Sequence, residues 1–291
     1  MSLIKMSKSL LYTLALLMYT KPTPVSSQNP DSLRVTSASM GKEIPCLVFT
    51  PQSHDPQVKQ YPVLYLLHGY DGGWLSWEWL GADLQHWADH YRMYIVCPDA
   101  GNSWYLDSPV DPEIRYERFV AFELPAQIER IYPTIPHRNG RALAGISMGG
   151  HGAAFIALRH PDIFTGFAST SGGLDLRPFA DEWNLKTILG PQSFSNPHWT
   201  EHSAVSQIEK WSGQDFKIYL DCGKADFFLQ VNRDFHLALK ERNIPHLYLE
   251  NEGGHDADYW VRSMQYLMAF VYGMFYGEES SYSTHPWTDA P

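Results

Sequence analysis

Gly145-Ile146-Ser147-Met148-Gly149 sets a serine between two glycines, each two residues away. The apolar run RALAGI leads into it, and helical spacing follows from Gly149. A serine at such a strand-to-helix elbow presents its hydroxyl from a tight turn. Glycines at those two positions keep Cβ atoms out of the neighbouring strand and helix. A hydroxyl is a poor nucleophile at neutral pH, so the chemistry needs a base within hydrogen-bond reach. Of 13 histidines, His255 stands out because it follows a predicted strand in the glycine-flanked loop Glu252-Gly253-Gly254-His255-Asp256. An acid must then hold that histidine. Asp221 and Asp226 both follow the strand-like FKIYL. Asp226, beyond the strand, is better placed to turn across, whereas Asp221 at the strand end suits loop amides. Asp256 adjoins the histidine on one loop and is worse placed.

Attack on a carbonyl also requires two N–H groups aimed at the developing negative charge. The Met148 N–H, directly after the serine, is one candidate. The Tyr70 N–H is the other, in the loop His68-Gly69-Tyr70-Asp71-Gly72-Gly73 that follows PVLYLL. His68 reads as a brace for that turn. Trp74 and Trp77 lie just beyond it, Trp104 follows another strand end, and Trp183 and Trp199 lie farther on. Their flat faces would suit a sugar ring or a phenolic group. His86 and His90 have a metal-ligand spacing but lack the Glu of H-E-x-x-H, and they read as a solvated helix face. No G-x-G-x-x-G or Walker loop occurs, so neither a metal nor an organic cofactor is expected.

The elements that must position these residues alternate. Leu33 to Ser39 and Ile44 to Phe49 read as a hairpin through Met40-Gly41. Strands are then expected at Pro62 to Leu67, Met93 to Cys97, Ala142 to Ile146, Phe164 to Thr170, Phe216 to Leu220 and His246 to Leu249. Helices are expected at Ala82 to Tyr91, Glu113 to Tyr132, Gly149 to His160, Gln230 to Arg242 and Asp258 to Phe275. Pro125 should kink or divide the second helix. Several strands are apolar throughout, as parallel strands covered on both faces are. The fold class is therefore α/β, a mostly parallel sheet with helices on both faces and its site at the strand carboxyl ends.

Composition narrows the function. Charged residues are 19% and hydrophobic residues 44% of 291, an ordinary globular balance. The 22 Lys and Arg against 32 Asp and Glu leave a net charge of −10, which disfavours nucleic-acid binding. Cys46, Cys97 and Cys222 cannot build a disulfide framework, and no essential disulfide is expected. Cys97 and Cys222 both end predicted strands and could be sheet neighbours. Lys5 and Lys8 precede the apolar run Leu10 to Met18, with Pro22, Pro24 and Val25-Ser26-Ser27 after it. That pattern is an export signal over residues 1–27, too short to span a bilayer, so no stable membrane anchor is expected. Residues 28–291 form one domain in this reading, and the protein is secreted or periplasmic.

Six runs together resemble the esterase D-like family of α/β-hydrolases: YPVLYLLHG (Tyr61 to Gly69), PDAGNSWY (Pro98 to Tyr105), ELPAQIERIYPTI (Glu123 to Ile135), RALAGISMGGHGA (Arg141 to Ala153), DCGKADFF (Asp221 to Phe228) and GGHDADYW (Gly253 to Trp260). That family includes S-formylglutathione hydrolases, tributyrin esterases, feruloyl and acetyl xylan esterases, and mycolyltransferases. The resemblance implies Ser147 as nucleophile, Asp226 as acid, His255 as base, and oxyanion amides at Tyr70 and Met148. It also implies that residues 172–211 are the inserted cap of the tributyrin and feruloyl esterase-like branch. His68-Gly69, where formylglutathione hydrolases usually have a serine-glycine turn, and the export signal both point away from that branch. The expected activity is hydrolysis of short-acyl or hydroxycinnamoyl esters, carried on plant polysaccharides or oligosaccharides. A general short-chain esterase, an acyltransferase, or a non-catalytic carbohydrate-binding protein are the alternatives.

Overall fold

The computed structural model describes residues 30–52, 60–210 and 215–277. The expected export signal and the last residue of the expected cap, Trp211, lie outside these residues. Among the described residues eight strands form one sheet, in the order β1-β2-β4-β3-β5-β6-β7-β8. They are β1 (Asp31–Ser37), β2 (Lys42–Phe49), β3 (Val63–Leu67), β4 (Tyr94–Pro98), β5 (Arg141–Ile146), β6 (Gly166–Thr170), β7 (Lys217–Gly223) and β8 (Leu247–Asn251). β1 pairs antiparallel with β2, and β2 antiparallel with β4. Every other pairing is parallel. The hairpin turns through Gly41 at φ +62°, a conformation glycine adopts without steric cost.

Period-two alternation divides the core. On β3, Val63, Tyr65 and Leu67 face one apolar cluster, and Leu64 and Leu66 face the other. Five longer helices cover the two faces: α1 (Leu84–Tyr91), α2 (Leu124–Ile131), α3 (Met148–Arg159), α4 (Leu229–Glu241) and α5 (Ala257–Tyr276). Leu124 and Ile128 of α2, most of α3, and Val231, Phe235 and Leu239 of α4 fill the first cluster. Leu84 and Ala88 of α1 fill the second, with Met264, Leu267, Met268 and Val271 of α5. The α5 spacing i, i+3, i+4, i+7 is that of one helix stripe. α3 has no such stripe, because every residue from Met148 to Leu158 is buried.

Pro125 does divide its helix. Tyr116–Arg118 is α-helical, Phe119–Glu123 forms a π turn, and α2 begins at Leu124 with Pro125 in its first turn. A proline ring collides with the carbonyl four residues back, and the wider π turn relieves that collision. The three cysteines are free and buried. Cys97 on β4 and Cys222 on β7 are not sheet neighbours, since β3, β5 and β6 lie between them. The chain order of the strands simply does not reveal their order in space. Among the described residues no helix is long and apolar enough to cross a membrane.

Candidate active site

Ser147 occupies the turn between β5 and α3 at φ 75°, ψ −111°, a backbone that side-chain-bearing residues rarely adopt. The glycines make this turn possible. A Cβ on Gly149 would stand 2.1 Å from the Leu67 carbonyl oxygen, and one on Gly145 would stand 2.5 Å from Gly149 backbone. The Ser147 N–H donates to the Thr170 carbonyl at 3.1 Å, which fixes the elbow against β6.

His255 lies between β8 and α5, and Asp226 in the loop after β7. Two backbone bonds lace those loops together, from Lys224 N–H to the Asn251 carbonyl and from Ala225 N–H to the Gly253 carbonyl, each 2.9 Å. Gly223 lets them approach, since a Cβ there would lie 2.4 Å from the Gly253 oxygen. The result is a continuous chain of contacts. Ser147 Oγ is 2.9 Å from His255 Nε2, and His255 Nδ1 is 2.9 and 3.0 Å from the two Asp226 oxygens. A carboxylate can only accept, so Nδ1 carries the proton and Nε2 offers its lone pair to the serine hydroxyl. Asp226 is 6% exposed and also accepts the Phe228 N–H at 2.7 Å, which holds its orientation.

Asp221, the other carboxylate weighed from sequence, is fully buried and does not reach His255. It accepts from the Tyr219, Thr170 and Tyr259 hydroxyls at 2.6, 3.1 and 3.2 Å, and from Ser263. Burial pushes its carboxyl above the ordinary range against the pull of those donors. Asp256 caps α5, accepting the Tyr259 N–H at 2.9 Å.

The loop after β3 is braced as the sequence suggests. His68 Nδ1 lies 2.8 Å from the Gly69 carbonyl, and its Nε2 accepts the Ala100 N–H at 3.0 Å. Those partners require the neutral ring, and burial holds its pKa below 6.5. Asp71, at φ 57°, exchanges two 2.8 Å hydrogen bonds with Asn102. Neither the Tyr70 nor the Met148 N–H meets an acceptor among the described residues.

A cleft of about 380 Å³ opens over Ser147 and His255, with Tyr70, Trp79, Trp104, Trp183, Phe227 and Trp260 among its walls. Of the five tryptophans expected there, only Trp104 and Trp183 line it. Trp77 is 2% exposed inside the second core cluster, and Trp74 packs against that cluster. Trp199 is 2% exposed in the first cluster and donates its indole N–H to the Gly190 carbonyl at 3.1 Å. The physical reason is a short helix, Ser76–Trp79, which turns Trp77 inward and leaves Trp79 74% exposed at the cleft. Phe227, Phe228 and Trp260 were missed from sequence. A signal existed, since Phe227 and Phe228 directly follow Asp226, and Trp260 lies one helical turn after Asp256. The Phe227 ring centre is 4.2 Å from that of His255, and Trp260 meets the imidazole edge-on at 5.1 Å. Trp183 joins from the segment between β6 and β7, stacking on Phe227 at 5.7 Å. A larger groove of about 940 Å³ lies at the opposite ends of β7 and β8, and among the described residues no serine or cysteine lines it.

Sheet order, strand-end site and serine elbow together define an α/β-hydrolase. The esterase family model matches residues 37–270, and the chain belongs to that family of serine carboxylic ester hydrolases. An acetyl esterase of Caldicellulosiruptor saccharolyticus is 30% identical over 224 residues, 71% of this chain and 81% of its own length. Among solved structures, FphF, a fluorophosphonate-binding serine hydrolase of Staphylococcus aureus, superposes with TM-score 0.75 at 25% identity, covering 84% of this chain and 98% of its own. A ferulic acid esterase superposes at 0.70 with 29% identity, over the same 84% and 98%.

Proposed function

We propose that this protein hydrolyses short-acyl or hydroxycinnamoyl esters carried on plant polysaccharides or oligosaccharides, through an acyl-enzyme on Ser147. The unbroken contact chain from Ser147 through His255 to Asp226 carries the mechanism. His255 Nε2 takes the hydroxyl proton as Ser147 Oγ bonds to the ester carbonyl carbon. The Tyr70 and Met148 N–H groups donate hydrogen bonds to the oxyanion. The carbon–oxygen bond to the alcohol then breaks, and His255 returns the proton to the departing oxygen. Water repeats the sequence on the acyl-enzyme, releasing the acid and restoring Ser147. Asp226 keeps the proton on Nδ1 and stabilises the imidazolium.

The substrate class rests on the aromatic walls around the serine and on the acetyl and ferulic acid esterases among the similar proteins. Residues 172–211 act in this reading as a cap whose Trp183 forms one wall. We also propose export, directed by residues 1–27. N-terminal sequencing of the exported chain should find it beginning near Gln28.

Purified mature chain should be compared on nitrophenyl acetate, nitrophenyl butyrate, methyl ferulate and feruloylated or acetylated oligosaccharides. A stacked indole contributes about 0.5–1.5 kcal/mol, so losing one should cost roughly two- to tenfold in kcat/KM. Trp183→Ala is expected to erode the preference for oligosaccharide over simple alkyl esters while sparing nitrophenyl acetate. Equal losses on both would remove the polysaccharide assignment.

A further inference from the structure

The segment between β6 and β7 carries a second cluster of chemistry-bearing side chains, in the run His198-Trp199-Thr200-Glu201-His202. His198–Glu201 is a short helix, so positions i, i+3 and i+4 share one face. One ligand atom each from His198, Glu201 and His202 lies within 4.8 Å of the others. We propose that these three residues bind a zinc-class divalent cation in the segment that packs on the nucleophile helix α3.

His198 Nδ1 is 3.6 Å from Glu201 Oε2, too far for a hydrogen bond. Two ligand atoms at 2.0–2.1 Å from a tetrahedral zinc stand about 3.3 Å apart, so this spacing suits a shared metal. That Nδ1 is buried and has no hydrogen-bond partner among the described residues. His202 is already set as a ligand. Its Nδ1 lies 2.8 Å from the His198 carbonyl, which can only accept, so Nδ1 carries the proton and Nε2 keeps its lone pair. A carbonyl holding the far nitrogen is the usual outer partner of a metal-bound histidine. Two imidazoles and one carboxylate suit zinc, and the exposed side of His198 and Glu201 leaves room for water as the fourth ligand.

The location argues for a brace. The His202 carbonyl is 2.9 Å from His151 Nε2, on α3 four residues after Ser147. Phe155 of α3 stacks with the His151 ring and with the His202 ring. A cation at this cluster would order the turn whose His202 meets that helix. The exposed pair His86 and His90, ring-stacked at 5.7 Å on α1, is the competing chelator, with no third ligand among the described residues.

The test is calorimetric titration of Zn²⁺ into full-length, chelator-treated chain without a histidine tag, with Co²⁺ absorption as a geometry probe. One zinc per chain, tetrahedral cobalt bands and a raised Tm are expected. His198→Ala and Glu201→Gln should each weaken binding by about tenfold or more and abolish the Tm rise, while His90→Ala should leave both intact. Both substituted side chains are partly exposed, so the variants are expected to fold. Absence of binding, or binding lost in His90→Ala and retained in His198→Ala, would overturn the site.

Discussion

Asp221 and Asp226 stand five residues apart, and their surroundings give them different tasks. Asp226 accepts from His255 at the cleft, while Asp221 ties β7 to Thr170 of β6 and to Tyr259 and Ser263 of α5. Asp226→Asn should therefore lower kcat by about 10⁴, because an amide favours the wrong histidine tautomer. Asp221→Asn should keep most turnover but lose about 1–3 kcal/mol of stability, since an NH₂ group would then face hydroxyl donors. Steady-state rates and urea melts on both variants separate the two. His68 gives a pH prediction. The folded ring resists protonation, whereas the unfolded chain takes a proton near pH 6.5. Unfolded molecules thus bind more protons below 6.5, so stability is complete above that pH and falls as pH drops through it. His68→Gln removes this titration, and its urea midpoint should change less between pH 7.5 and 5.5 than the parent's. An identical change in both would contradict the assignment.

At the scale of elements, the serine elbow depends on close backbone approach. Gly149→Ala should abolish folding or lower Tm by many degrees, because its Cβ would meet the Leu67 and His68 carbonyls. Gly273, inside α5, has no described residue beyond its helix neighbours within 4 Å of where a Cβ would stand, so Gly273→Ala should stabilise by about 0.5–1 kcal/mol. Thermal melts read both. The elbow, the two laced loops and all eight strands were legible in sequence because each carries a local signature. The serine motif, the G-x-x-D loop and the apolar strands need no knowledge of distant partners. The tryptophans were not legible in this way. Trp77 and Trp79 differ by two positions on one short helix, and only the helix's docking decides which is buried. Trp199 follows a strand-end segment as Trp183 does, yet its indole faces the core and the Gly190 carbonyl. Pro125 announced a break but not the π turn that accommodates it.

For the whole molecule, parallel pairing from β4 onward brings four distant loops to one end of the sheet, after β3, β5, β7 and β8. Strand order in space was the part that sequence did not contain, which is why Cys97 and Cys222 could be imagined as neighbours. Two covered faces make the sheet rigid, and the site inherits that rigidity because each site residue follows a strand end within a few positions. Every step of the proposed reaction runs through Ser147 as the nucleophile. Intact-mass and peptide-mass analysis after treatment with a fluorophosphonate probe tests it most directly. One adduct per chain on the peptide containing Ser147, complete loss of ester turnover, and no adduct in Ser147→Ala are expected. Undiminished turnover after treatment with Ser147 unmodified, or an adduct that persists in Ser147→Ala, would contradict it.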